Sequence, residues 1–231
     1  MAGIGRQRRV RRGALVALAV VVLGCIVSVS ADWDFPLILQ RAEKLYGPLG
    51  EGRQRILDWQ RLLDQGAVMA EAERLQQVNA FFNEQLRFDD DQRLWGQVDY
   101  WATPIEALRI GAGDCEDYAV AKYLTLRRLG VPAERLRITY VKALRLNQAH
   151  MVLTYYERPD AVPLVLDNLI GDILPASARS DLLPVYAFNG EGLWLQGAEG
   201  NKRVGDSKRL SRWQDLLKKM NTEGFTMEKV Q

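Results

Sequence analysis

The spacing of apolar residues along this chain changes at Gly130-Val131-Pro132. Before that point apolar residues recur every three or four positions, as in helices that pack one face on a core. Helices are predicted over 37–47, 51–66 and 70–88. After it, short runs rich in branched and aromatic residues predict strands. These strands cover 136–143, 150–157, 162–169, 182–189 and 192–197, and a last helix covers 211–221. Helices followed by an antiparallel sheet indicate the α+β fold class.

Two more helices are predicted on either side of a glycine pair. Thr103 is a suitable N-cap and Glu106 completes a capping box. A short helix therefore starts there and stops at Gly111 or Gly113, because glycine readily ends a helix. The next helix begins at Cys115 and reads "CEDYAVAKYLTLRRLG". The polar stretch before Thr103 is predicted to be a loop.

The N-terminal segment has the pattern of an export signal. Five arginines precede an apolar run over 14–29, and small residues follow up to Ala31. This order predicts a secretory signal peptide over 1–31; an uncleaved N-terminal anchor is the alternative. Either reading places the remainder in the periplasm. No linker is long enough to divide 32–231, which is predicted to be a single domain.

The net charge bears on the class of partner. The whole chain carries +2, and residues 1–31 contribute five positive charges and no negative charge, so the remainder carries −3. A mildly acidic domain argues against a nucleic-acid partner.

Cys115 is the one cysteine outside the predicted leader, since the other is Cys25. A lone thiol in an exported protein is either a small buried hydrophobe or a reactive group. The start of a helix favours a thiolate, and its free N–H groups suit an oxyanion. However, Asp114 and Glu116 flank the thiol, and carboxylates raise a thiol pKa.

The sequence offers one candidate histidine base for this thiol, because His150 is its only histidine. It lies in one predicted strand, and Asp167 lies at the end of the next. A hairpin of these strands would place the two side chains together, in the arrangement of a nucleophile–base–acid triad. One cysteine and one histidine are too few for a zinc site.

Four segments together resemble the bacterial transglutaminase-like cysteine proteinases. They are "YWATPIEAL", "GAGDCEDYAVAKYLTLRRLGVP", "NQAHMVLTYY" and "PLVLDNL". The resemblance runs from about Trp95 to Leu169 and implies a papain-like, transglutaminase-like core. It also implies that Cys115 is the nucleophile, His150 the base and Asp167 the acid that orients the base.

The same resemblance implies a calcium ion beside the nucleophile. Asp114 and Glu116 would be its ligands, with Asp117 as a helper, and backbone carbonyls and waters would complete the shell. Calcium would neutralise the carboxylates that oppose the thiolate. The alternative is that these acids only cap the helix.

The resemblance further implies an activity and its partners. It points to a calcium-dependent periplasmic endopeptidase that cuts the N-terminal region of a large surface adhesin at a di-alanine site, which releases the adhesin and disperses biofilm. A LapD-like inner-membrane receptor for cyclic di-GMP would sequester the enzyme. The alternatives are an acyl transferase of the transglutaminase or amidase type, and a non-catalytic binding module.

Overall fold

The helices lie mainly in the first half of the chain. A computed structural model describes Met1 and residues 33–197 and 200–226. The helices before the sheet are α1 (Phe35–Tyr46), α2 (Glu51–Gly66), α3 (Glu71–Gln85), α4 (Asp91–Leu94), α5 (Pro104–Ile110) and α6 (Cys115–Arg128). A seventh helix, α7 (Ser211–Glu223), follows the sheet.

The strands form two sheets within the described residues. A short parallel pair joins β1 (Arg87–Phe88) to β2 (Ala112–Gly113). The large sheet is antiparallel and has the order β6-β5-β4-β3-β7-β8-β9. Its strands are β3 (Leu136–Ala143), β4 (Gln148–Tyr155), β5 (Leu164–Leu166), β6 (Leu174–Pro175), β7 (Leu182–Phe188), β8 (Leu193–Gly197) and β9 (Gly200–Gly205).

This arrangement confirms the predicted α+β class, with some differences in the elements. The strand predicted over 162–169 shrinks to β5, because the chain turns away from the sheet after Leu166. The predicted polar loop contains α4. Strand β9, "GNKRVG", has no apolar alternation and was not predicted, since its pairing with β8 rather than its sequence pattern makes it a strand.

The predicted leader, or anchor, over 1–31 falls outside the described residues apart from Met1. It stays a prediction, as does the division of the chain at residue 31. Within the described segments, no helix combines the length and the apolar character needed to cross a membrane.

The core lies between the helices and one face of the large sheet. Trp59 of α2 is fully buried, and its Nε1–H donates to Thr125 of α6 at 2.9 Å. Rings of Trp33, Phe82 and Phe225 surround Trp59 at centroid distances of 5.4 to 6.4 Å. Burial of large aromatic side chains contributes several kcal/mol each, about 3–5 by truncation to alanine. Helix α6 is thereby held between α2 and the sheet.

Helix α5 is held by close packing against α2. A Cβ at Gly52 would lie 2.4 Å from the backbone oxygen of Arg109, so only glycine fits. Arg55 donates to the Leu108 carbonyl at 2.7 Å at the end of α5. The predicted capping box of Thr103 and Glu106 is present at the start of that helix. Both ends of α5 are fixed just before the chain reaches Cys115.

Candidate active site

Cys115 is the first residue of α6, and Asp114 is its N-cap. Asp117, which is buried, accepts hydrogen bonds from the backbone N–H groups of Asp114 at 3.3 Å and Ala102 at 2.7 Å. A Cβ at Gly113 would lie 2.9 Å from Asp117 Cβ and Oδ2. Glycine at this position therefore lets the chain turn tightly and present the Cys115 thiol at the helix N-terminus.

The surroundings of the thiol oppose its ionisation. Its Sγ lies 3.1 Å from Glu116 Oε2. Burial raises the pKa of Cys115 well above its usual value, and the charges of Glu116 and Asp114 raise it further. A hydrogen bond from the backbone N–H of Met151 acts in the opposite direction. Since Met151 follows His150 on β4, this contact also places the thiol beside the start of the histidine strand.

His150 and Asp167 lie together, as the hairpin predicted. Strands β4 and β5 pair with Leu153 opposite Leu166, which brings the following Asp167 beside β4. The Nε2 atom of His150 lies 2.8 Å from Asp167 Oδ1, and both side chains are buried. A ring whose Nε2–H donates to a carboxylate keeps Nδ1 as its acceptor in the neutral form.

The Asp167 carboxylate is held on both oxygens. Oδ1 also accepts from the backbone N–H of Leu169 at 3.1 Å, and Oδ2 accepts from Arg179 Nη2 at 2.7 Å. Burial alone would raise the pKa of Asp167, but His150 and Arg179 outweigh it and lower that pKa to about 2. Asp167 is thus ionised and fixed. Arg179 was not predicted, because nothing in the sequence pattern links this loop residue to Asp167.

A buried lysine is linked to the backbone of the same aspartate through one asparagine. Lys122 of α6 is fully buried, and its Nζ donates to Asn83 Oδ1 at 2.8 Å. Asn83 in turn donates through Nδ2 to the backbone oxygen of Asp167 at 2.8 Å. Burial lowers the pKa of Lys122 to about 7, although Asp167 acts to raise it. Helices α3 and α6 are therefore tied to the chain that carries Asp167.

Cys115 and His150 line one cleft of about 500 Å³. The rings of Tyr140 and Tyr186 form part of the wall and stack at a centroid distance of 5.0 Å and an angle of 8°. Trp101, from the segment before α5, also lines the cleft. Aromatic walls suit an extended peptide, whose backbone and small side chains pack on flat rings.

Beside the thiol, four carboxylates crowd together. Oxygens of Asp91, Asp114 and Asp117 lie within 4.8 Å of one another, and the ligand atoms of Asp114, Cys115 and Glu116 do the same. Burial raises the pKa of Asp114 to about 10, with contributions from the three other acids. Burial also raises the pKa of Asp91 to about 6, although a hydrogen bond from the Tyr100 N–H lowers it in part. Burial and the neighbouring negative charges together disfavour the ionised forms of both groups.

These residues fit a hard divalent cation. The Oδ1 atoms of Asp91 and Asp114 are buried and have no hydrogen-bond partner. Carboxylate oxygens are the preferred ligands of Ca²⁺. Helix capping accounts for Asp117 but not for Asp91, which comes from α4. Asp91 was missing from the predicted ligands, because only the fold brings α4 beside the start of α6.

A thiol at a helix N-terminus beside a buried histidine–aspartate pair, on an α+β scaffold, defines a site of the cysteine hydrolase class. The chain belongs to the bacterial transglutaminase-like cysteine proteinases, since the model of that family matches residues 62–182. The predicted family is therefore confirmed. Among curated protein sequences, none matches this chain significantly.

Solved structures agree with the family. LapG of Legionella pneumophila is 44% identical to this chain, with a TM-score of 0.68, over 79% of this chain and 97% of LapG. An EGTA-treated form of the same protein gives 44% identity, the same coverages and a TM-score of 0.70. A calcium-bound form gives 44% identity over 80% and 98% of the two chains, with a TM-score of 0.68. The α+β fold is shared with these structures.

Proposed function

We propose that this protein is a calcium-dependent cysteine endopeptidase in which Cys115, His150 and Asp167 form the catalytic triad. The observation that carries the proposal is that Cys115 and His150 line one cleft while Asp167 hydrogen-bonds to Nε2 of the imidazole. The family is one of cysteine proteinases, which supports a thiol mechanism.

The roles of the three residues follow from their bonds. Because Nε2–H of His150 donates to Asp167, Nδ1 accepts the proton of the Cys115 thiol. The sulfur attacks the peptide carbonyl, and N–H groups at the start of α6 bind the oxyanion. His150 returns the proton to the leaving amine, which departs and leaves a thioester. Water, deprotonated by His150, attacks the thioester and releases the acid and the free thiol.

Asp91, Asp114, Glu116 and Asp117 would hold the calcium ion. When bound, Ca²⁺ supplies positive charge that offsets the carboxylates which now oppose ionisation of Cys115. The two unpartnered oxygens of Asp91 and Asp114 support this assignment, as do the calcium-bound and EGTA-treated forms of LapG.

We propose further that the enzyme works in the periplasm on the N-terminal region of a large surface adhesin. It cuts a di-alanine site, releases the adhesin and so disperses biofilm, and a LapD-like inner-membrane receptor for cyclic di-GMP sequesters it. Membership of the family and the likeness to LapG support this substrate and these partners.

Cleavage of an adhesin N-terminal fragment by the purified protein tests the proposal. We expect cleavage with Ca²⁺, none with EGTA, and none for Cys115→Ala in either condition. Asp91→Asn should need a higher Ca²⁺ concentration for cleavage, whereas Asp64→Asn, on the exposed surface of α2, should behave as wild type. Cleavage that persists in EGTA would remove calcium from the mechanism and leave the acids as helix caps.

The alternative activities give different outcomes in the same assay. Incorporation of an amine into the fragment, without cleavage, would indicate a transglutaminase or amidase. If Cys115→Ala still released adhesin from cells, the fold would act as a binding module and the thiol mechanism would be wrong.

A further inference from the structure

A second cavity, of about 600 Å³, lies on the face of the large sheet away from α6. Side chains alternate between the faces of a strand. Ile138 and Leu153 therefore join the main core, whereas Val141, Val152 and Val165 form a separate cluster on the opposite face. These three valines are the apolar floor of the cavity. The cavity is distinct from the cleft that contains Cys115.

Arg137 lines this cavity with unsatisfied donors. Its residue surface is only 8% exposed, and its guanidinium lies 4.4 Å from the ring centroids of both Tyr156 and Trp194. Its Nε and Nη1 atoms are buried without a hydrogen-bond partner. Within residues 33–197 and 200–226, no carboxylate forms an ion pair with Arg137. Aromatic rings thus hold the cation in place, and Tyr156 also hydrogen-bonds to the guanidinium, while the Nε and Nη1 N–H groups are left for another acceptor.

Arg179 is a second cation in the wall of the same cavity. Its Nη2 bonds to Asp167 and its Nε to Asp181, but its Nη1 is buried without a partner. Asp160 is the carboxylate that lines the cavity, and it is exposed and lies 3.7 Å from Arg158. The charge of Arg179 is therefore paired already, and Arg137 is the cation of the cavity wall that has no carboxylate partner among the described residues.

An arginine with unpartnered donors and an apolar floor together define a chemical class of ligand. Arg137 and Val141 are four residues apart on β3, which corresponds to about 13 Å along a strand. We infer that the cavity binds an amphipathic monocarboxylate, with its carboxylate at Arg137 and its hydrocarbon chain along the three valines. Hydrogen bonds between a guanidinium and a carboxylate are among the stronger polar contacts in proteins.

The bonds of Arg179 connect this cavity to the catalytic histidine. Arg179 Nη2 bonds to Asp167 Oδ2, and Asp167 Oδ1 bonds to His150 Nε2. A ligand in the cavity lies in a site whose wall includes Arg179, the residue that orients Asp167. We therefore expect occupancy of the cavity to change the electronic environment of the His150 ring through Arg179 and Asp167.

Calorimetric titration of the purified protein with octanoate and with octanol tests the site. We expect octanoate to bind and octanol to bind much more weakly. Arg137→Met should reduce the octanoate affinity at least about tenfold, and so should Ala161→Trp, which fills the cavity from its rim. Arg53→Met, a surface arginine on α2, is the matched control and should bind as wild type.

Two results would overturn the inference. One is equal binding of octanoate and octanol, which would make the cavity merely apolar. The other is undiminished octanoate binding by both Arg137→Met and Ala161→Trp. Thermal melts of each variant show that it is folded, so lost binding is not confused with lost structure.

Nitrogen NMR of ¹⁵N-histidine-labelled, tag-free protein tests the connection to the triad. His150 is the sole histidine, so its two ring nitrogens are the only labelled ring signals. We expect octanoate to shift the Nε2 signal in wild type but not in Arg137→Met. An unmoved Nε2 signal at saturating octanoate would refute the connection. Neither measurement depends on proteolysis, so the result is independent of the proposed activity.

Discussion

Arg179 and Asp167 form a buried ion pair beside the cleft that contains Cys115 and His150, with Nη2 2.7 Å from Oδ2 and side-chain exposures of 1% and 0%. The same Nη2 lies 2.9 Å from Asp181 Oδ2. Asp167 therefore hydrogen-bonds to His150 through Oδ1 and to Arg179 through Oδ2. The carboxylate cannot rotate away from the imidazole without breaking a buried pair.

Arg179→Met should destabilise the protein strongly. Removal of one partner leaves the charge of Asp167 buried and unpaired, which costs about 3–5 kcal/mol of the free energy of unfolding. Denaturant unfolding measures this loss. Arg158→Met is the control: Arg158 is exposed and its ion-pair distances are 4.0 and 3.7 Å, so its loss should cost less than about 0.5 kcal/mol. A similar loss in the two variants would contradict the prediction.

Acid should remove the part of the free energy of unfolding that ionised Asp167 contributes. The pKa of Asp167 is lowered to about 2, so its ionised form stabilises the folded state above its unfolded pKa, and that stabilisation disappears as pH falls toward 2. The contribution is about 2 kcal/mol. The difference in unfolding free energy between wild type and Asp167→Asn, followed from neutral pH down to about pH 2, should shrink with acidification. A constant difference would exclude this source.

Asp167→Asn should also reduce turnover while the fold survives. An amide no longer favours the Nε2–H tautomer or stabilises the imidazolium, and such a change lowers kcat by about 10²–10⁴. The measurement is kcat on the adhesin fragment, with melting temperature as the check on folding. Asp181→Asn is the matched control, since Asp181 bonds to Arg179 rather than to His150. Equal losses in both variants would mean that Asp167 acts only through Arg179.

Gly113→Ala should disturb the start of α6. The new Cβ would lie 2.9 Å from Asp117, which is too close for atoms that are not bonded. We expect a loss of about 1–3 kcal/mol in unfolding free energy. We also expect slower alkylation of the Cys115 thiol and slower cleavage of the adhesin fragment. Gly171→Ala is the control, because nothing lies within 4 Å of its added Cβ. If the two variants have equal stability, the close approach is not required.

Calcium affinity should fall as the pH is lowered. Without the ion, the pKa of Asp91 is about 6 and that of Asp114 about 10, so both carry a proton in acid and calcium must displace it. Affinity should fall about tenfold per pH unit for each proton displaced. Calorimetric titration with CaCl₂ above and below pH 6 measures the slope. Asp91→Asn should weaken binding and flatten the slope below pH 6, whereas Asp64→Asn, on the exposed surface of α2, should change neither.

Much of the site can be predicted from local sequence. The Thr103–Glu106 capping box, the glycines that end α5 and the helix that starts at Cys115 depend on neighbours within a few residues. The His150–Asp167 contact needed one further assumption, that consecutive strands form a hairpin, and β4 and β5 do pair in this way. These features are encoded locally because capping, chain reversal and side-chain alternation act over short separations.

The remaining features depend on tertiary structure. Asp91 joins Asp114 only because α4 packs beside the start of α6, and Arg179 reaches Asp167 only because the loop after β6 folds over the sheet. Contacts between such distant segments are determined by which surfaces bury the most apolar area, and no local pattern records this. The sequence by itself therefore determined the residues of the proposed triad and the order of the elements. Only the tertiary structure decided which charges surround them, and which cations face the second cavity.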